Sequence, residues 1–376
     1  MPTPRLSART RSGLLLATAV VVLTALAVAD PAGVELISAG AEPVATTSTT
    51  SSTSTTTSST STSSTSTVPS TTSTTTVPDP TTSTDATAGL RLSDDLLGAI
   101  AGDFPDASLA QDGQVYLAYA TNIETDAALL NVPVRASFDL STWSEAIDAL
   151  PVLPSWATRG STWAPTVQRI GGVWVMYFTT RDVDSGLQCI GVATSATSAG
   201  PFVSSGDEPV ACQTDLGGSI DPTIVVDSSG GTWLVWKSDG NCCGLTTSIW
   251  SAPIGAFGSI TGTPVRLLAA TKRWQHGVIE NPSLVETDTG WVLLYSAGRW
   301  DDDTYATGFA LCTDLASACT NASSTPLFDD VAGTYGGGGL SVTALDDGRL
   351  VAIWHAWSTS DPDAGRSAWL AVLELD

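Results

Sequence analysis

The chain has 376 residues, a formal net charge of −23 and two lysines, Lys237 and Lys272. An acidic surface repels phosphate backbones, which excludes nucleic acid as a partner. With two histidines, His276 and His355, and no repeated CxxC pair, no zinc-type ligand set and no cofactor are expected.

In chain order, Arg5, Arg9 and Arg11 precede an uncharged run from Gly13 to Ala29 that ends in Ala27-Val28-Ala29. A basic start, an apolar stretch and a small-x-small site read as a signal peptide over residues 1–29, with an uncleaved N-terminal anchor as the alternative. Residues 30–89 follow; from Thr46 to Thr87 they are almost only Ser and Thr, with Pro69, Pro78 and Pro80. So few apolar side chains cannot offset the entropy of ordering, so a disordered linker is expected. The chain is therefore expected to be secreted, or held at a cell surface through this linker.

Residues 90–376 repeat. GQVYLAYAT, GVWVMYFTT, GTWLVWKSD, GWVLLYSAG and GRLVAIWHAW begin at Gly113, Gly172, Gly231, Gly290 and Gly348, spaced 59, 59, 59 and 58. Ahead of them lie DASLA at Asp106, APTVQ at Ala164, DPTIV at Asp221, NPSLV at Asn281 and LSVTA at Leu340. A fixed period built from β-branched and aromatic runs predicts an all-β, five-bladed propeller with four strands per blade. The last repeat is one strand short, and the stretch near Leu90–Leu97 is expected to supply it. Six cysteines in an exported chain predict disulfides. Cys189 and Cys212 bracket a hairpin end, Cys312 and Cys319 flank a short loop, and the adjacent Cys242 and Cys243 form either one bridge or two.

Asp106, Asp221 and Glu280 open the leading strands of repeats one, three and four. Repeat symmetry brings such residues to one mouth of the central channel. An acid at a strand start is also ordinary turn chemistry, but three at matching places point to a site. Trp174, Trp233 and Trp291 share a register and read as packing residues. Trp163, Trp274, Trp300 and Trp357 fall outside it and are candidates to stack on a ligand ring; Trp163, heading an inner strand beside the acids, is the favoured one. His276 and Arg299 are candidate ligand contacts. The alternatives are a surface histidine, and an arginine paired with Asp301–Asp303. His355 reads as a buried, hydrogen-bonded residue.

The ordered pieces PDASLAQDGQVYLAYAT, STWAPTV, SIDPTIVVDSSGGTWLVW, IENPSLVETDTGWVLLYSAG, YATGFALC and IWHAW resemble glycoside hydrolase family 43 across residues 100–376. Members are five-bladed propellers that cleave arabinans, xylosides and related glycosides. The resemblance implies Asp106 as general base, with Asp103 a rival, Asp221 as the carboxylate that tunes the acid, and Glu280 as general acid. It also implies inversion, which leaves room for a water between base and acid, roughly 6.5–9.5 Å apart. Glu280 would then hold its proton through burial and the negative Asp221. Many arabinan-cleaving members carry a histidine at the start of the fifth inner strand that holds an ion or water. Here the stretch reads Gly336-Gly337-Gly338-Gly339-Leu340-Ser341, so no calcium or other metal is expected. The expected partner is an arabinose- or xylose-containing polysaccharide or oligosaccharide, met by a monomer. The rival from another class is a glycan-binding propeller without activity. A related fructan-cleaving family places its acids in Arg-Asp-Pro and Glu-Cys contexts, unlike Ile220-Asp221-Pro222 and Glu280-Asn281-Pro282.

Overall fold

A computed structural model describes residues 89–329, 331–359 and 365–375. The expected signal peptide and all but the last residue of the expected linker lie outside the described residues. Strand β1 (Leu90–Ile100) comes first. Blade 1 follows, made of β2 (Ser108–Asp112) and β3 (Val115–Tyr119), a small hairpin of β4 (Ile123–Glu124) and β5 (Leu129–Leu130), then β6 (Pro133–Ser137) and β7 (Ile147–Asp148). Blade 2 is β8 (Ala157–Ile170), β9 (Val173–Asp182), β10 (Gln188–Ser195) and β11 (Val203–Ser204). Blade 3 is β12 (Ser219–Val226), β13 (Thr232–Ser238), β14 (Ser248–Pro253) and β15 (Val265–Ala269). Blade 4 is β16 (Ile279–Thr287), β17 (Gly290–Ala297), β18 (Ala306–Cys312) and β19 (Thr320–Asn321). Blade 5 is β20 (Tyr335–Ala344), β21 (Leu350–Trp357) and β22 (Ser367–Leu375), with β1 paired antiparallel on β22 as its outermost strand. Each blade is a four-stranded sheet, and the fold is a five-bladed β-propeller. Pairing the first described strand with the last closes the ring.

The second strand of each blade is buried on both faces, which is why these segments read as unbroken apolar runs. In β9, Trp174, Met176 and Phe178 pack towards blade 1, while the alternating Val175 and Tyr177 pack towards blade 3. That is the two-residue period of a strand between two layers. Five apolar clusters result, one in each gap between neighbouring blades. The buried tyrosines keep their hydroxyls satisfied across those gaps: Tyr119 donates to the Ser198 carbonyl at 2.7 Å and Tyr177 to the Gly258 carbonyl at 2.6 Å. Disulfides join Cys189–Cys212, Cys242–Cys243 and Cys312–Cys319.

The inner strands β2, β8, β12, β16 and β20 contact one another in a ring around the axis. At one matching place on or just before each, a residue has left-handed backbone: Asp106 (φ 52), Ala164 (φ 42), Asp221 (φ 53), Asn281 (φ 51) and Gly339 (φ 61). In four blades the ladder slips there, between Trp163/Thr166, Ile220/Thr223, Glu280/Ser283 and Gly338/Ser341. Such a bulge frees a backbone N–H and re-aims the side chain. Proline fits the next position in three blades (Pro165, Pro222, Pro282), where it has no N–H to leave unpaired. Four of the freed N–H groups donate to a side chain on or just beyond the second strand of the preceding blade: Ala164 to Thr121, Asp221 to Thr179, Gly339 to Ser296 and Asp106 to His355. The fifth, Asn281, donates instead to the Asp221 carboxylate at 3.0 Å.

Candidate active site

This ring of bulges corrects the expected equivalence of the three acids. Asp106 and Asp221 occupy the left-handed position itself. Glu280 stands one residue earlier, level with Trp163 and Gly338, because Asn281 takes the bulge in blade 4. Trp163 likewise does not head its strand but lies within β8, which begins at Ala157.

A pocket of about 370 Å³ opens at this mouth, and Asp106, Asp221 and Glu280 all line it, with Trp163, Trp300 and Arg366. A wider hollow of about 850 Å³ beside Trp291 and Leu375 has no cation in its lining, so convergence of charge rather than size marks the site. His276 and Arg299 are not among the residues lining the pocket. His276 is an exposed residue capping a short 3-10 turn, and the Arg299 guanidinium pairs with Asp301 at 2.6 Å and Asp302 at 3.1 Å. Asp103 accepts the Arg366 backbone N–H and also lies off the pocket lining. Of the other tryptophans outside the shared register, Trp300 is 52% exposed at the pocket, whereas Trp357 is buried and Trp274 stacks on Tyr295.

Four neighbours surround Asp106. Thr121 donates its hydroxyl to Oδ2 at 2.8 Å, Arg366 stands 4.0 Å from the same oxygen, and His355 Nδ1 accepts the Asp106 N–H at 3.0 Å. Burial alone would push this carboxyl up; His355, Arg366, the Thr121 hydroxyl and the Lys237 ammonium outweigh it and hold Asp106 below the ordinary carboxylate value. His355 itself is pushed down to about 4, by burial first and by Arg366, so at pH 7 it is neutral, exerts no charge on the carboxyl and only anchors the Asp106 backbone N–H. The cationic support comes from Arg366 and Lys237. Arg366 is in turn seated over the Trp300 ring, 4.9 Å from its centre.

On the other side sits a group that the sequence gives little warning of. Lys237, 1% exposed, places Nζ 2.6 Å from Glu280 Oε2 and 3.6 Å from Asp239. Burial opposes its charge, but Glu280, Asp221 and Asp239 outweigh that and keep the ammonium protonated. The Tyr305 hydroxyl is pushed well above its ordinary value by burial and by the Glu280 carboxylate it faces, and its ring stacks on His355. The glycine run that opens blade 5 is what lets these rings in. A Cβ at Gly338 would overlap Tyr305, and one at Gly339 would overlap His355. The signal available for Lys237 is a lysine, one of two in the chain, inside the apolar strand GTWLVWKSD. Tyr305 and Arg366 carry no comparable mark.

Asp221 is pushed up to about 8, by burial first and by the Glu280 and Asp106 carboxylates, against the pull of Lys237 and the Asn281 N–H. The folded chain thus holds a proton there that the unfolded chain releases above 3.8, so this group's contribution to stability is lost as pH rises between about 4 and 8. His355 has the opposite sign: between 6.5 and about 4 the unfolded chain binds a proton the native chain refuses, so stability is lost as pH falls. The two offset each other up to 6.5. A net loss on the order of 2 kcal/mol is therefore expected between pH 6.5 and 8, seen as a falling Tm. Asp221→Asn should flatten that stretch; an equal fall in the variant would disprove the buried proton.

The family model for glycosyl hydrolases family 43 matches residues 99–376, the whole propeller apart from most of β1. The chain belongs to glycosyl hydrolases family 43. It is 27% identical over 204 residues to an extracellular exo-alpha-(1->5)-L-arabinofuranosidase of Streptomyces avermitilis, covering 51% of this chain and 42% of that protein. Over 184 residues it is 25% identical to the extracellular endo-alpha-(1->5)-L-arabinanase 1 of Bacillus subtilis, covering 46% of this chain and 56% of the other. The chain spans about half the length of these curated relatives. Among solved structures, a thermostable family-43 glycoside hydrolase superimposes with a TM-score of 0.64 at 22% identity, covering 74% of this chain and 92% of that one. The endo-1,4-beta-xylanase of Bacteroides thetaiotaomicron gives a TM-score of 0.62 at 25% identity, covering 74% and 96%. These likenesses carry the fold. The extracellular relatives and three disulfides accord with an oxidising, exported setting.

Proposed function

We propose that this family member hydrolyses glycosidic bonds in arabinose- or xylose-containing polysaccharide or oligosaccharide, with inversion at the anomeric carbon. The observation that carries this is the convergence of Asp106, Asp221 and Glu280 on one pocket, each held by different neighbours. Glu280 donates its proton to the glycosidic oxygen as the bond to the anomeric carbon breaks. Water attacks that carbon from the opposite face and gives its proton to the Asp106 carboxylate. Asp106 is suited to accept it because Arg366, Lys237 and Thr121 favour its ionised form. Asp221, expected to act as a negative neighbour, is instead pushed up by burial and by the Glu280 and Asp106 carboxylates, so at neutral pH it adds no second negative charge beside the acid. Trp163 and Trp300 offer ring faces for a sugar, and Arg366 a donor at the rim. Linkages of the arabinan type are favoured by the two arabinose-specific relatives.

Purified protein should be incubated with linear arabinan, arabinoxylan and xylan, and the first-formed anomer read by NMR. Release of the inverted anomer is expected. The retained anomer would reject the mechanism, and binding without hydrolysis of any of the three would make the chain a glycan-binding propeller.

A further inference from the structure

Blade 3 departs from the rule by which the other blades close. Thr121, Thr179, Ser296 and His355, at or just beyond the ends of second strands, each accept the N–H freed by the next blade's bulge. Directly after the buried aromatic of each second strand stand Ala120, Phe178, Ser296 and His355, but Lys237 in blade 3. An ammonium has three donors and no acceptor, so it cannot cap Asn281, and Ser238 is occupied with Ser248. The Asn281 N–H falls to the Asp221 carboxylate. Four neutral solutions to the same junction show that the fold does not require a charge here. Burying an ammonium is expensive, several kcal/mol before its partners are counted.

We propose that Lys237 is a positioning residue for proton donation: its ammonium fixes the Glu280 carboxyl and balances the negative charge that appears there as the proton leaves. This rests on the assignment of Glu280 as the acid. Facing the ammonium are Glu280 from β16, Asp221 from β12 and Asp239 just after its own strand; facing Glu280 are Lys237, Asp221, Asp239 and the Tyr305 hydroxyl. Before donation the ammonium shares itself between Glu280, 2.6 Å away, and Asp239, 3.6 Å away. As the proton passes to the leaving oxygen, the new carboxylate already has its counter-ion at 2.6 Å, a donor placed before the charge develops. Lys237 neither gains nor loses a proton in the step.

Lys237→Gln and Lys237→Arg should be compared with the wild type on a linear arabino-oligosaccharide and on a 4-nitrophenyl arabinofuranoside, whose leaving group departs without protonation. For Lys237→Gln the expected loss is about a hundredfold on the oligosaccharide and under about tenfold on the aryl substrate. Its alkaline limb should move up by about one pH unit, since the carboxylate form has lost its cation. Lys237→Arg, which keeps the charge, should hold the wild-type limb. Equal losses on both substrates with an unmoved limb would overturn the proposal and leave Lys237 a packing residue. If the Gln variant does not fold, an Arg variant whose limb rises by a unit overturns it equally. Full turnover by Glu280→Gln would reject the acid assignment instead, and this proposal with it.

Discussion

Glu280→Gln is expected to lower turnover on an unactivated arabinan-type oligosaccharide by roughly 10²–10⁴-fold, the usual contribution of a positioned general acid. Glutamine fills the same volume and keeps an oxygen towards Lys237 and Tyr305, but it has no proton to give. The alkaline limb of kcat should vanish with it. A 4-nitrophenyl glycoside of the same sugar should lose far less, because 4-nitrophenolate departs unaided. Removing one partner of a buried ion pair costs about 3–5 kcal/mol when the other charge is left alone. Here Asp239 still faces the ammonium at 3.6 Å, so the loss should be smaller. Activity must therefore be compared well below the variant's Tm. Wild-type turnover on the oligosaccharide would remove Glu280 from the mechanism.

The architecture is legible in the sequence because its cause is periodic. A blade that must bury both faces of its second strand needs an apolar run at each turn of the ring, and five such runs at a constant spacing leave little choice of fold. The missing strand is legible by arithmetic, since a blade one strand short must borrow from the other end of the chain. What periodicity hides is the bulge. Asn281-Pro282 in blade 4 is the counterpart of Asp221-Pro222 in blade 3, and the left-handed backbone at both shows Glu280 standing one residue ahead of the bulge.

The site is legible in part for the same reason. Asp106, Asp221, Glu280 and Trp163 lie on or beside inner strands, where repeat comparison makes each stand out. Lys237 is on a second strand, Tyr305 follows the loop after β17, and Arg366 precedes β22. Their nearness to the acids is a product of closure between blades, which no local pattern encodes. His276 and Arg299 err in the opposite direction. His276 lies four residues before Glu280 and Arg299 lies just beyond the YSAG end of a second strand, which suggests a role at the pocket. Yet strand β16 carries Glu280 inward while the turn before it faces solvent, and Asp301 and Asp302 hold the Arg299 guanidinium.

Asp106→Asn should reduce turnover by a similar factor, roughly 10²–10⁴-fold, with a diagnosis that a structural defect cannot imitate. Asparagine tolerates left-handed backbone as aspartate does, so the φ of 52 at this position is no obstacle. Its side-chain oxygen can still accept the Thr121 hydroxyl, and the backbone N–H still reaches His355. Arg366 remains seated on Trp300. What is lost is the base that takes the proton from water. Azide needs no deprotonation, and in the variant it has no carboxylate to repel it. With Glu280 still able to protonate the departing oxygen, added azide should restore cleavage and yield the glycosyl azide of inverted configuration. Rescue by azide in Asp106→Asn, with none in the wild type, would place Asp106 on the water side of the anomeric carbon. A retained glycosyl azide would instead mean two displacements through a glycosyl-enzyme intermediate on another carboxylate, with azide displacing that carboxylate in the second, and no rescue at all would move the base to another residue.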